Sequence, residues 1–363
     1  MIRRLLVALL ALFVASLVFA ADGSARRRAV RTPDSWTPQC EAVDGFPAVA
    51  LSTNGGASVL PHIETAESFQ IDTFGLAATR DPRQLVAVSG RVLLHSKDGG
   101  CSWMLNNGVT FPDHGYRLVP AGALGTLAWT IYRPELYLLG DTVTQRTAPM
   151  PLPLNVSVDA FAPNQLAAAD DQGAIWWSDD AAVTWRPHAQ APVRPPLYAL
   201  AFSSRGRIHA LASGLADGAH VTFDGGTTWT RSDGLDGLNV FTIAFSPADP
   251  DVVWAVAINP QDLTRTRRGI FHSRDGGRSF RKILTASDSI PMKNGFTLAP
   301  SPANASLLYF ALPGTTLYLI DDEGALLRRS EVPGRRDFDS IVFSPANPRV
   351  MYFGLKISDM TAE

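Results

Sequence analysis

Apolar residues along this chain come in short runs that alternate or stay continuously hydrophobic, then stop at Gly, Pro or Asp. The fullest stretch extends from Val240 to Leu284. Phe241–Phe245 alternates and ends at Ser246-Pro247, and a turn at Asp249-Pro250-Asp251 opens the apolar run Val252–Val256. Gly269–Ser273 leads into a second, Asp-containing turn, and Ser279–Ile283 leaves it. Brief segments rich in Val, Ile, Phe and Trp between turn-formers predict four strands of one antiparallel sheet. No long helical period follows residue 20.

The unit repeats. Its turn reads Ser96-Lys97-Asp98-Gly99-Gly100-Cys101-Ser102-Trp103, then Thr222-Phe223-Asp224-Gly225-Gly226-Thr227-Thr228-Trp229, then Ser273-Arg274-Asp275-Gly276-Gly277-Arg278-Ser279-Phe280. A weaker copy at Ser178–Trp185 keeps Asp180 but carries Ala182 in place of the second glycine. Eroded copies stand at Asn54, Asp141 and Asp322-Glu323-Gly324. The aligned positions 54, 98, 141, 180, 224, 275 and 322 are separated by 44, 43, 39, 44, 51 and 47 residues, which makes an array of seven. The chain finishes with two strands of a unit, Ser340–Ser344 and Val350–Gly354, and its ordered part opens with the missing two, Ala48–Ser52 and Ser58–Leu60. The prediction is therefore an all-β, seven-bladed β-propeller of four-stranded antiparallel blades, with the last blade closed by strands from both termini.

In such a turn Asp accepts backbone N–H bonds, Gly supplies positive φ, and Ser or Thr adds a local hydrogen bond. Asp98, Asp180, Asp224 and Asp275, with Gly100, Gly226 and Gly277 and the aromatics Trp103, Trp185, Trp229 and Phe280, are accordingly fold markers. These residues resemble the Asp-box, or BNR, repeat, found in sialidase-like, xyloglucanase-like, sortilin-type and photosystem II assembly factor-like propellers. The resemblance covers about residues 41–357. It implies that the boxes lie on the outer rim and that ligands meet the opposite face, where loops join successive blades. It does not select a function, because such propellers include hydrolases, receptors and assembly scaffolds.

Arg3 and Arg4, the apolar stretch Leu5–Phe19 and the small-x-Ala end Val18-Phe19-Ala20 predict an export signal over 1–20. The apolar part is too short to span a bilayer, so no stable membrane anchor is expected once it is removed. Residues 21–40 read as a flexible leader and 41–358 as the propeller. Loss of Arg3 and Arg4 takes the net charge from −2 to −4, which offers no basic face for nucleic acid. The two cysteines, Cys40 and Cys101, allow one intrachain pairing, plausible outside the cytoplasm and suited to clasping the ring closure. A secreted or periplasmic monomer is expected, since a propeller closes on itself.

The enzyme readings lack a residue set. The sialidase resemblance would demand three arginines gripping a carboxylate. The string nearest that family's Arg-Ile-Pro motif, Arg117-Leu118-Val119-Pro120, has one residue too many, and Tyr116 and Arg117 read as an ordinary strand edge. A glycosidase needs two carboxyls about 5–10 Å apart, and Asp72, Asp113, Asp159, Asp236, Asp288 and Asp339 are candidates on loops or inner strands. His62 near Glu64 and Glu67, and His114 beside Asp113, are the only hints of a metal site, and neither has ligand spacing. No catalytic residue, metal site or cofactor is assigned. The expected function is a non-catalytic binding or assembly scaffold for an unknown protein or glycan, with Phe111, Asp113, His114, Asp236, Arg335 and Arg336 as candidate contacts on the inter-blade loops. The alternative is an exported glycoside hydrolase, sialidase- or glucanase-like.

Overall fold

The strands form where the apolar runs predict them. The computed structural model describes residues 36–40, 49–61, 73–112, 115–121, 125–130, 132–140, 142–149, 155–158, 165–203, 209–264, 267–292, 297–312, 316–331 and 336–357. The expected export signal and most of the expected leader lie outside them. Two strands come first, β1 (Val49–Ser52) and β2 (Leu60–Pro61). Blade 1 holds β3 (Thr73–Ala78), β4 (Leu85–Ser89), β5 (Val92–Ser96) and β6 (Met104–Thr110). Blade 2 holds β7 (Arg117–Pro120), β8 (Thr126–Thr130), β9 (Arg133–Leu139) and β10 (Val143–Thr147). Blade 3 holds β11 (Asn155–Val158), β12 (Leu166–Ala169), β13 (Ala174–Ser178) and β14 (Arg186–Gln190). Blade 4 holds β15 (Ala199–Ser203), β16 (His209–Ser213), β17 (Ala219–Thr222) and β18 (Thr230–Arg231). Blade 5 holds β19 (Asn239–Phe245), β20 (Val253–Ile258), β21 (Arg268–Ser273) and β22 (Arg281–Thr285). Blade 6 holds β23 (Thr297–Pro300), β24 (Leu307–Ala311), β25 (Thr316–Asp321) and β26 (Leu326–Glu331). Finally, β27 (Arg336–Phe343) and β28 (Met351–Ile357) pair with the first two strands in the order β27–β28–β1–β2. The protein is a seven-bladed β-propeller closed by strands from both ends.

The second strand of a blade is buried on both faces, which is why β4, β8 and β12 read as continuous apolar runs and not as alternating ones. Seven hydrophobic clusters result, one at each junction between neighbouring blades. Between blades 5 and 6, Trp254 and Ile270 meet Phe310 and Tyr318. Between blades 6 and 7, Tyr309 and Leu317 meet Ala50 and Phe353. Between blades 7 and 1, Leu51 and Tyr352 meet Leu85 and Leu94.

The boxes share one hydrogen-bond pattern. In blade 5 the Ser273 hydroxyl accepts the Gly277 amide at 2.9 Å and donates to Asp275 Oδ1 at 2.7 Å. Asp275 in turn accepts the Ser279 amide at 2.9 Å and its hydroxyl at 2.6 Å. Blades 1, 3 and 4 repeat this around Asp98, Asp180 and Asp224. Hydrogen bonds led by Thr184 and Thr228 hold the Asp180 and Asp224 carboxyls down at about 2. In blade 7 Asn54 keeps the geometry with one reversal: its amide donates to the Ser58 hydroxyl at 2.8 Å where an Asp would accept. Blade 6 departs from expectation. Asp321, not Asp322, organises its turn, accepting the amides of Glu323 at 3.0 Å and Ala325 at 2.8 Å from the place Ser273 occupies in blade 5. Asp322 is freed to pair across the junction with Arg274 of blade 5. The expected turn at Asp141 falls outside the described residues.

Cys40 and Cys101 form the disulfide, with Cα atoms 5.0 Å apart. It ties the segment ahead of β1 to the box of blade 1. Asn347, in the turn between β27 and β28, donates to Thr37 at 3.0 Å, so residues 36–40 span the junction between the closing blade and its neighbour. The Trp36 ring lies so close over Gly99 that a methyl there would sit 2.3 Å from it. Residues 36–40 are thus held by the ring, and the flexible leader expected over 21–40 does not extend through them.

Two predictions follow from these junctions. Gly277 has φ +91°, and a methyl on it would fall 2.7 Å from Leu211 of blade 4, whereas Ala181 in the weak box is itself forced to φ 58°. Gly277→Ala should destabilise by roughly 2 kcal/mol or more, and Ala181→Gly should be neutral or stabilising by about 0.5 kcal/mol, in urea denaturation. His272 is 4 % exposed, its ring centroid 4.4 Å from that of Trp254. Burial pushes its pKa down to about 4, against the pull of Asp322 and Glu323 and with help from Arg274 and Arg281. The unfolded chain binds this proton near pH 6.5, so the stability the neutral ring supports is whole above that pH and drains away between 6.5 and 4. The loss is up to about 3 kcal/mol. His272→Leu should flatten the fall of the urea midpoint over that interval relative to the parent.

Candidate functional site

Antiparallel order sends the connections of each blade to two ends. Turns from first to second strand and from third to fourth, the boxes included, come off one end. Links from second to third strand, and from each blade to the next, come off the other. At the first end the boxes of blades 1, 3, 4 and 5 share one hydrogen-bond pattern. The second is the loop end, and the longest link within a blade comes off it.

At that loop end three inner strands carry bulges. The registers of β3, β19 and β27 skip Phe74, Phe241 and Asp339. A bulge re-aims a side chain and is common at barrel rims and beside functional sites. Phe241 is 41 % exposed, and its ring lies 4.7 Å from that of Tyr198, which precedes β15. The link from β20 to β21 is the longest of its kind, occupying 259–267. Asp262 caps it by accepting the Thr264 amide at 2.8 Å and hydroxyl at 2.6 Å, contacts that lower its pKa. At the base, Arg268 is buried and donates to the Met292 carbonyl at 2.9 Å, joining this link to the following inter-blade loop. Beyond that loop lies a cavity of about 190 Å³ lined by Asp288, Pro291, Leu312, Tyr318 and Arg329 among others. Its polar wall is already engaged: Thr316 and Arg329 both donate to Glu331, at 3.1 and 3.2 Å.

The residues expected at this face are not brought together. Phe111 is fully buried, packed at 4.5 Å on Tyr116 and edge-on to Tyr137, so it serves the junction between blades 1 and 2 and offers a ligand nothing. Asp236 is exposed and paired with Arg231 at 2.9 Å. Asp113, His114 and Arg335 fall outside the described residues. Arg336 opens β27, and its side chain falls outside them as well. Tyr116 is buried, while Arg117 stands over the Trp129 ring at 5.6 Å. Trp129 and Trp177 are core, as strand tryptophans usually are. Among the described residues no group of three His, Cys, Asp or Glu side chains is placed to hold a metal.

The residues that sequence reasoning passed over are Tyr198, Phe241 and Leu263. The 51-residue spacing between Asp224 and Asp275, the longest in the array, is the one signal in the sequence that points to this blade. Nothing in the string, however, separates an exposed leucine from a buried one.

A seven-bladed propeller closed by strands from both ends is the class that this fold defines. No family profile matches the chain. It is 31% identical over 361 residues to the dispase autolysis-inducing protein of Streptomyces mobaraensis, an alignment covering 94% of this chain and 96% of the relative. The chain belongs to that protein's family. Similar solved structures include YCF48 bound to D1 peptide, with a TM-score of 0.54 and 15% identity over 88% of this chain and all of that one. YCF48 from Cyanidioschyzon merolae is another, with a TM-score of 0.56 and 15% identity over 80% and 97% of the two chains. At that identity the likeness is one of fold.

Proposed function

We propose that this chain is an exported, monomeric, non-catalytic binding scaffold that engages a protease and promotes its self-digestion. The observation that carries the reading is near-full-length kinship with a protein named for inducing the autolysis of dispase. The disulfide between Cys40 and Cys101 suits an oxidising compartment, in keeping with the export signal expected over 1–20. The hydrolase alternative has no such relative behind it, and Asp236, one of its carboxyl candidates, is held by Arg231.

Inducing autolysis requires no reactive group on the inducer. A rigid partner that binds a partly opened protease better than the closed form raises the opened population by the ratio of the two affinities. Another protease molecule then cuts what has been exposed. A tenfold rise in the opened population asks for about 1.4 kcal/mol of differential binding, a small fraction of a standard-sized protein interface. The scaffold itself has to survive, and the hydrogen-bonded boxes of blades 1, 3, 4 and 5 present little extended backbone to cut.

Dispase incubated with the purified mature chain should lose its intact band faster than dispase alone. The acceleration should saturate with chain concentration, and the chain should remain uncut. Unchanged dispase lifetime across a hundredfold range of chain concentration would refute the reading.

A further inference from the structure

On the reading that the chain engages a protease, the position of contact can be inferred from one blade. The links from second to third strand occupy two residues in blades 1 and 2, four in blades 3 and 6 and five in blade 4, but nine in blade 5. Residues 259–264 of that link carry hydrogen bonds of their own. Asn259 donates its amide to the Arg267 carbonyl at 2.9 Å and accepts the Gln261 amide on its side chain at 3.0 Å. Pro260 fixes one φ between them, and Asp262 pins Thr264. Between Asp262 and Thr264 stands Leu263, 89 % exposed, more than any other large apolar residue described.

A leucine in that setting calls for a partner. Burying one is ordinarily favourable by about 1.5–3 kcal/mol, and this fold forgoes that while spending two side-chain caps to hold the residue out. Loops ordered before binding lose less entropy on association, which is how a short element becomes an effective anchor. The same end of the molecule also carries an aromatic pair. Asn239 pairs with Ile258, the last residue before the link, so bulged Phe241 and its neighbour Tyr198 lie at the same end of blade 5.

We propose that residues 259–264 are the element that docks the protease, with Leu263 entering an apolar side-chain pocket of that enzyme and the Tyr198–Phe241 pair covering the rim beside it. Proteases suit this geometry because they read substrates through pockets that take one side chain at a time. A single presented leucine on a firm loop satisfies such a pocket while withholding the extended backbone that cleavage needs.

The test uses Leu263→Ala in the full mature chain, with Leu326→Ala as a matched control. Leu326 is also exposed, at 48 %, but lies on the outer strand of blade 6. The readout is the chain concentration giving half-maximal acceleration of dispase loss, with thermal melting to confirm that both variants fold. Leu263→Ala should raise that concentration about tenfold or more, in the range of a central interface anchor, and Leu326→Ala should stay within twofold. A Leu263→Ala variant within twofold of the parent, while the parent still accelerates loss, overturns the docking site and leaves the function standing. A parent chain without effect on dispase overturns both.

Discussion

The ring rests on one ladder, the pairing of β1 with β28. Val49, Ala50, Leu51 and Ser52 lie opposite Gly354, Phe353, Tyr352 and Met351, and all four residues of β1 are buried. Each blade buries its apolar faces only against its neighbours, so six blades without a seventh would leave an unfilled junction at either end of the row. Pairing the first strand with the last makes a seventh blade and fills both. Ala50 and Phe353 complete the junction with blade 6, and Leu51 and Tyr352 complete the junction with blade 1. The strap at 36–40 reinforces the same point from outside, through the disulfide to blade 1 and the Asn347–Thr37 bond to blade 7. A bridge between residues 61 apart in sequence removes roughly 4 kcal/mol of chain entropy from the unfolded state in the loop-closure picture.

Closure divides labour between the two ends of the ring. The box end carries the hydrogen bonds that join third to fourth strand, and their recurrence in blades 1, 3, 4 and 5 is what a scaffold needs. The loop end is released from that role, and variation is tolerated there: bulges in three inner strands and one long link. Function, on this account, resides where the repeat is broken. The boxes contribute by holding the broken places at fixed positions.

The architecture was open to reading because each blade repeats its punctuation. Asp98, Asp224 and Asp275 set the frame, and Val350–Gly354 at one end lacked the turn that Asn54 supplied at the other. The frame failed by one residue in blade 6, where Asp321 takes the place of the box serine, so that Glu323 and not Asp322 stands at the aligned position. The site was far less legible. Phe111 looked like a loop aromatic because it follows a polar stretch, yet packing against Tyr116 and Tyr137 removes it from solvent. Phe241 was read only as the start of an alternating strand, and the register of β19 skips it, leaving it 41 % exposed. Exposure is a property of the assembled ring, and periodicity along one strand reports only which side chains share a face.

Hydrogen–deuterium exchange on the oxidised mature chain tests the closure most directly. If the β1–β28 ladder holds the ring, the amides of Val49–Ser52 and Met351–Gly354 will exchange as slowly as those of β20 in the middle of blade 5, through global unfolding alone. Exchange of the terminal strands orders of magnitude faster than β20 would mean that blade 7 opens independently, and that the other six blades stand without it.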